Sequence, residues 1–267
     1  MLIDTHSHLN FNAFKKDSER VIKNCLSENV WMINVGSGYD TSLKATELSK
    51  KYPQGVYAAV GLHPIHLGTL IDDPDEEEDI KQEEFDFDKF LELAKSPGVK
   101  AIGEIGLDYY YKPKTNVKLE AFKKKQKEVV LEQIGLAKKL GLPIIFHCRM
   151  AQQDLIEILK KHQCFGVIHC FSGTWQEAKQ YLDMGFYLGF NGIMYKMDLK
   201  EVIEKCPLER MLVETDCPYL TPPFLNEKRN QPLFVRYIAQ EIAKIRKISL
   251  EEISEITTRN AKQLFKI

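Results

Sequence analysis

No apolar run in this sequence approaches the ~20 residues needed to cross a bilayer. No basic segment followed by an apolar core opens it either, so neither a membrane span nor a secretory leader is expected. The six cysteines include no CxxC pair. In a chain of 267 residues they read as reduced, mostly buried thiols, which points to the cytoplasm. An excess of positive charge is missing too. The net charge is −1 and the sequence pI about 6.7, so no global field draws nucleic acid in. Any polyanion has to be held by local groups or by metal. A Gly-x-Gly-x-x-Gly loop after the first strand is absent, which argues against a dinucleotide fold; Gly36-Ser37-Gly38 is only a turn. Internal repeats and a second domain boundary are lacking, so residues 1–267 read as a single domain.

What is present suits a soluble protein with a large core: 44% hydrophobic and 28% charged residues. Strand-like runs fall at 2–4, 30–35, 56–60, 99–103, 143–147, 166–169, 186–190 and 210–214. Helix-period segments lie at 119–140, 151–162, 175–184, 231–246 and 250–265, the last introduced by Ser249 with Glu252 as a capping box. Eight strands alternating with helices imply parallel pairing and right-handed crossovers. Of the two architectures that satisfy this, eight strands favour an α/β fold of the closed (β/α)8 TIM-barrel type over a doubly wound sheet. The stretch 71–88 holds eleven acidic residues against one lysine. It reads as a solvated, partly disordered acidic insert, or as a like-charge fence that turns long DNA away from one side of the site.

In such a barrel the strand tips gather on one face, where active sites sit. After the first strand come His6 and His8, two apart and therefore on one side of an extended chain. That pair alone could equally be two satisfied polar residues. Glu104 follows at the fourth strand, His147 at the fifth, His169 at the sixth and Asp216 at the eighth. Four imidazoles and two carboxylates exceed one tetrahedral site and suit two cations sharing a carboxylate. Such a pair clamps the attacking and leaving oxygens of a phosphoryl displacement and lowers the pKa of water between them. Zinc, manganese and magnesium are all compatible with these ligand types.

These residues carry a resemblance. Asp4-Thr5-His6-Ser7-His8-Leu9, Gly61-Leu62-His63-Pro64, Gly103-Glu104-Ile105-Gly106-Leu107-Asp108-Tyr109, His147-Cys148-Arg149, His169-Cys170-Phe171-Ser172-Gly173, Glu214-Thr215-Asp216-Cys217-Pro218 and Arg229-Asn230-Gln231-Pro232 stand in the order seen in TatD-type metal-dependent deoxyribonucleases. The chain resembles that family, a branch of the amidohydrolase-like metal hydrolases, over nearly its whole length. The resemblance implies a two-metal hydrolase, often a 3′-to-5′ exonuclease on DNA. It implies that His6, His8, Glu104 and Asp216 hold one metal, and that Glu104 bridges to a second held by His147 and His169. It also implies magnesium or manganese as the working cation, with zinc as an alternative. Gln231-Pro232 departs from the Glu-Pro more usual in the family, and the acidic stretch after His66 is unusual.

On this reading Glu104 and Asp216 are the catalytic pair, and Asp216 could take the proton of the attacking water. His63 and Arg149 could hold phosphate oxygens, Arg149 by a bidentate fork. Alternatively His63 orients a ligand from behind, and Arg149 pairs with a carboxylate such as Asp154. The loop from Tyr109 to Lys114 mixes aromatics with positive charge, which suits bases stacked beside a phosphate track. The other reading packs the tyrosines over the barrel rim. Tyr219 and Arg229 carry the same two readings. Cys148 and Cys170 follow ligands directly, so strand alternation turns them toward the helices. The expected partner is DNA, single-stranded or with frayed ends, with no obligate protein partner. Two other functions stay open: a metal-dependent ester or amide hydrolase, such as a deacylase of mischarged tRNA, and a non-catalytic metal-binding or scaffold protein.

Overall fold

A computed structural model describes residues 1–68, 73–77 and 82–267. Its centre is one eight-stranded parallel sheet in the order of the sequence: β1 (Leu2–Ser7), β2 (Val30–Val35), β3 (Val56–Val60), β4 (Val99–Asp108), β5 (Ile144–Arg149), β6 (Gly166–Ile168), β7 (Tyr187–Phe190) and β8 (Met211–Val213). The sheet is a nearly closed α/β barrel. Between β8 and β1 the ring is joined by the parallel Ser7–Cys217 bridge, with Asp216 N donating to His6 O at 2.9 Å. β1, β4 and β5 run past the ends expected from their apolar residues, because pairing continues into the polar tips: Leu107 lies beside Cys148 and Asp108 beside Arg149.

Around the sheet, among the described residues, stand α1 (Ser18–Ser27), α2 (Tyr39–Lys51), α3 (Phe87–Ala94), α4 (Asn116–Leu140), α5 (Gln152–Lys161), α6 (Trp175–Asp183), α7 (Lys200–Lys205), α8 (Val235–Arg246) and α9 (Leu250–Phe265). The helix-period segments expected from the sequence do not include α1, α2, α3 or α7. In α2 the reason is chemical: its buried face is Thr41, Ser42, Ala45, Thr46 and Ser49, small and mostly polar. Gly141 ends α4 in the left-handed conformation at φ 65°. At α9, Ser249 accepts from Glu252 N at 3.1 Å, without the reciprocal bond of a box; Thr174 and Glu177 make the full capping box at α6.

Strand residues alternate between two cores. Met32, Ala58 and Ile144 join the larger cluster with the helices, while Ile33, Ala59 and Ile145 fill the lumen. Leu264 and Phe265 of α9 pack on the lumen cluster beside Trp31 and Tyr57, at the starts of their strands. The barrel is thus sealed at the bottom and carries its polar tips at the top.

Candidate metal centre

The register of β1 shifts between Asp4 and Ser7. Within and just past this shift His6 and His8 turn toward one another, with their Nε2 atoms 3.1 Å apart. His6 Nε2 also lies 3.2 Å from Glu104 Oε2 and 3.7 Å from Asp216 Oδ1, which is 3.5 Å from His8 Nε2. The other oxygen, Glu104 Oε1, faces a different set: His147 Nδ1 at 2.7 Å, His169 Nε2 at 3.0 Å and His63 Nε2 at 3.5 Å. Three groups could each hold a cation: His6, His8 and Asp216; His6, Glu104 and His169; His63, Glu104 and His147. All six residues singled out as ligands therefore converge.

Three of the donors, His8, His147 and His169, are braced from behind. Val35 O meets His8 Nδ1 at 2.8 Å, and Asp108 Oδ2 meets His147 Nε2 at 3.1 Å. Glu214 Oε1 meets His169 Nδ1 at 3.1 Å and accepts from Cys170 N at 2.7 Å and Asn191 Nδ2 at 3.2 Å. Asp108 and Glu214 stand in the quoted motifs, yet ligand counting passes over them; their signal is an acidic residue four or two places from a proposed donor. Gly189 makes room here, since a Cβ would overlap the Glu214 carboxylate. Three strand ends turn sharply through left-handed residues, Met150 at φ 56°, Cys170 at 45° and Asp216 at 59°, a conformation that side chains rarely adopt away from constrained sites.

The electrostatics belong to a cation site. Burial pushes the Glu104 carboxyl up, but His169, His63 and His6 outweigh it and hold it well below the usual range. At the half-buried Asp216 loss of water also pushes the carboxyl up, but the His8 contact brings it below its ordinary value. Burial and neighbouring His169 lower His6. Its Nδ1 is buried without a hydrogen-bond partner, and its ring stacks on His169 at 3.7 Å between centroids. Buried imidazole nitrogens turned on each other and on two ionised carboxylates are the donor chemistry that divalent cations complete.

His63 and Arg149 line the cleft above this centre, together with Tyr110, Tyr111 and Tyr219. His63 Nδ1 accepts from Ile65 N at 3.1 Å, which turns Nε2 toward Glu104. Arg149 does not pair with Asp154. That carboxylate takes Lys127 at 2.8 Å and the Tyr109 hydroxyl at 2.7 Å.

Two expected substrate contacts are corrected. Tyr109 is buried with its hydroxyl on Asp154, leaving Tyr110 and Tyr111 at the cleft. Arg229 is committed elsewhere: its fork grips Asp17 at 2.8 and 3.0 Å, donates to Ala13 O, and lies 4.0 Å over the Phe14 ring. Lys112 and Lys114 are not among the residues lining the cleft. Tyr219 donates to Asp73 at 2.8 Å.

Part of the acidic stretch, 71–72 and 78–81, lies outside the described residues. In the described remainder Asp75, Glu84, Asp86 and Asp88 are exposed, as in a solvated run, but one residue departs from it. Glu76 is only 3% exposed, 2.9 Å from His66 Nε2 and hydrogen-bonded by Ser37 Oγ. Asn12 N and Ala13 N donate to Glu76 O and Asp75 O. Cys148 does face the helices, 3.9 Å from the Tyr181 hydroxyl. Cys170 does not: it lies past the end of β6, where strand alternation no longer applies, with Sγ 3.5 Å from Asn191 Oδ1. All six cysteines are free. No helix is long and apolar enough to cross a membrane among the described residues.

The sequence model of the family described as TatD related DNase matches residues 3–266. An uncharacterized metal-dependent hydrolase of Bacillus subtilis, YabD, is 40% identical over 274 residues, covering all of both chains. A 3′-5′ ssDNA/RNA exonuclease TatD of Edwardsiella piscicida is 30% identical over 279 residues, again covering all of both. In three dimensions the chain is similar to the TatD homologue YjjV of Escherichia coli K12. The TM-score is 0.81 at 28% identity, over 100% of this chain and 98% of the other.

Proposed function

The chain belongs to the TatD-related DNase family of metal-dependent hydrolases, and on that premise we propose that it is a two-cation phosphodiesterase releasing nucleotides from the 3′ end of single-stranded or frayed DNA. The observation that carries this reading is the division of labour at Glu104, whose two oxygens face two different groups of histidines. His6, His8 and Asp216 would hold one cation and His147 and His169 the other, with Glu104 shared between them. Magnesium or manganese is the proposed working metal. When bound, the pair supplies Lewis acidity to the scissile phosphoryl group and lowers the pKa of water.

The chain's own groups do the rest. Asp216, kept ionised beside His8, offers a carboxylate oxygen to the proton of the attacking water. Glu214 and Asp108 fix the ring orientations of His169 and His147. Arg149, free of any carboxylate among the described residues, presents its guanidinium to a phosphate at the cleft mouth.

The test is cleavage of an end-labelled single-stranded oligonucleotide by metal-stripped protein with magnesium, manganese or zinc added back, and Asp216→Ala beside it. A metal-dependent ladder from the 3′ end, absent in the variant, is expected. Stoichiometric metal binding with no cleavage would sink the nuclease reading. It would favour hydrolysis of a carboxylic ester or amide, such as the aminoacyl ester of a mischarged tRNA. One observation favours that second reading: Arg149 is the one lysine or arginine lining the cleft among the described residues.

A further inference from the structure

The cleft above the donors, about 1010 Å³, is unusual in what it leaves uncovered. Nine large hydrophobic side chains are exposed among the described residues, and four of them, Tyr110, Tyr111, Met150 and Met197, line this one cavity. Trp175, half-buried at the start of α6, lines it too. Apolar surface gathered in one concave place, next to convergent polar groups, is characteristic of a ligand site. Met150 is 65% exposed and sits in the left-handed conformation, so the turn that presents it is held against its intrinsic preference.

Arg149 adds a planar face. Its guanidinium lies 3.7 Å from the centre of the Tyr110 ring and 5.5 Å from that of Tyr111, and the side chain is exposed, which suits stacking of a further planar group. One cation cannot follow a polyanionic backbone. Beyond the metal donors the cleft also shows Asp73, Asp198, Glu177 and Glu201, which would repel a trailing strand.

We infer that this bay grips the substrate by its terminal nucleobase. The base stacks on the Arg149–Tyr110 platform and against the Trp175–Met197 wall, and phosphates beyond the scissile one stay in solvent. The inference rests on the nuclease reading above and specifies which part of the nucleic acid is recognised. Affinity then comes from one end, so a trinucleotide and a twelve-nucleotide strand bind within a few-fold of each other. The slope of log affinity against log salt is about −1 or shallower, as for one neutralised phosphate.

The test uses the full-length protein loaded with magnesium and a single strand carrying 2-aminopurine, whose fluorescence is quenched by stacking. The probe is placed either at the 3′-terminal nucleotide or five nucleotides inside. Stopped-flow mixing reads binding before cleavage, and anisotropy of a 5′ dye reports total binding. Quenching confined to the terminal probe is expected, with affinity about tenfold weaker in Trp175→Ala, within the range of one stacked base. Arg149→Ala and Met197→Ser, both at exposed side chains, should reduce the quench as well; they keep the test decisive should Trp175→Ala fail to fold. Binding with equal quenching at both positions, or a salt slope near −3 that steepens with length, overturns the inference while leaving the nuclease reading standing. Absence of any oligonucleotide binding overturns both.

Discussion

The floor and the rim of the cleft are built on opposite plans. On the floor His6, His8, Glu104 and His169 are nearly inaccessible. Three of the six floor donors, His8, His147 and His169, touch another donor on one side and a backbone carbonyl or a buried carboxylate on the other. At the rim Tyr110, Tyr111, Met150 and Met197 stand exposed, and Arg149 is held by a ring face. A floor braced in this way keeps its geometry before any ligand arrives, which is what preorganised electrostatic catalysis needs. A rim of methionine, tyrosine and arginine can adapt to what it meets. The same fold thus separates the chemistry from the choice of substrate.

The contrast can be broken most severely at Glu104. Glu104→Gln, which puts an amide in place of the carboxylate proposed to be shared, should lower both cation stoichiometry, read by elemental analysis, and activity. The expected loss in turnover is on the order of a thousandfold, several kcal/mol of charge stabilisation. Retention of two cations per chain would show that the carboxylate is not shared. One layer deeper, Glu214→Gln and Asp108→Asn leave all six donors in place but loosen His169 and His147. Each should weaken metal affinity by about 10- to 100-fold, measured by competition with a fluorescent chelator. An effect below twofold would mean that packing alone fixes the rings.

The smallest effect is expected where floor meets rim, at Glu76. Burial pushes its carboxyl up, but hydrogen bonding to His66 outweighs this and brings it below the usual range. A carboxyl with a depressed folded pKa adds stability above its unfolded pKa and loses it as pH falls through the folded value. Glu76→Gln should therefore cost about 2 kcal/mol at neutral pH. Its denaturation midpoint should converge with that of the wild type below the ordinary carboxylate range. A difference that stays constant across that range would assign the effect to packing rather than charge.

Much of this was legible in the sequence. β2 and β3 match their apolar runs to the residue, because valine and isoleucine between turn residues leave few alternatives. The six proposed donors stand out because histidine and carboxylate at apolar strand tips need a reason. α2 was hidden because its buried face is serine and threonine rather than leucine. Arg229 and Tyr109 misled because a side chain's partner is not written beside it. Asp17 is 212 positions from Arg229 and Asp154 is 45 from Tyr109, and only the closed barrel brings them together. Glu76 was unreadable for the same reason: ten acidic neighbours in sequence describe a solvated run, and a single histidine in space decides otherwise.

The seam between β8 and β1 carries a consequence for the timing of assembly. Asp4 and Thr215, which clasp each other beneath the donors, are 211 positions apart. At ribosomal speeds of about 5–20 residues per second, roughly ten to forty seconds separate their synthesis. Throughout that interval the nascent chain already displays His6 and His8 but has no Asp216 to set against them. A translating or truncated chain therefore lacks the full donor set, and the metal-dependent chemistry of the site becomes possible only when the last strand closes the ring.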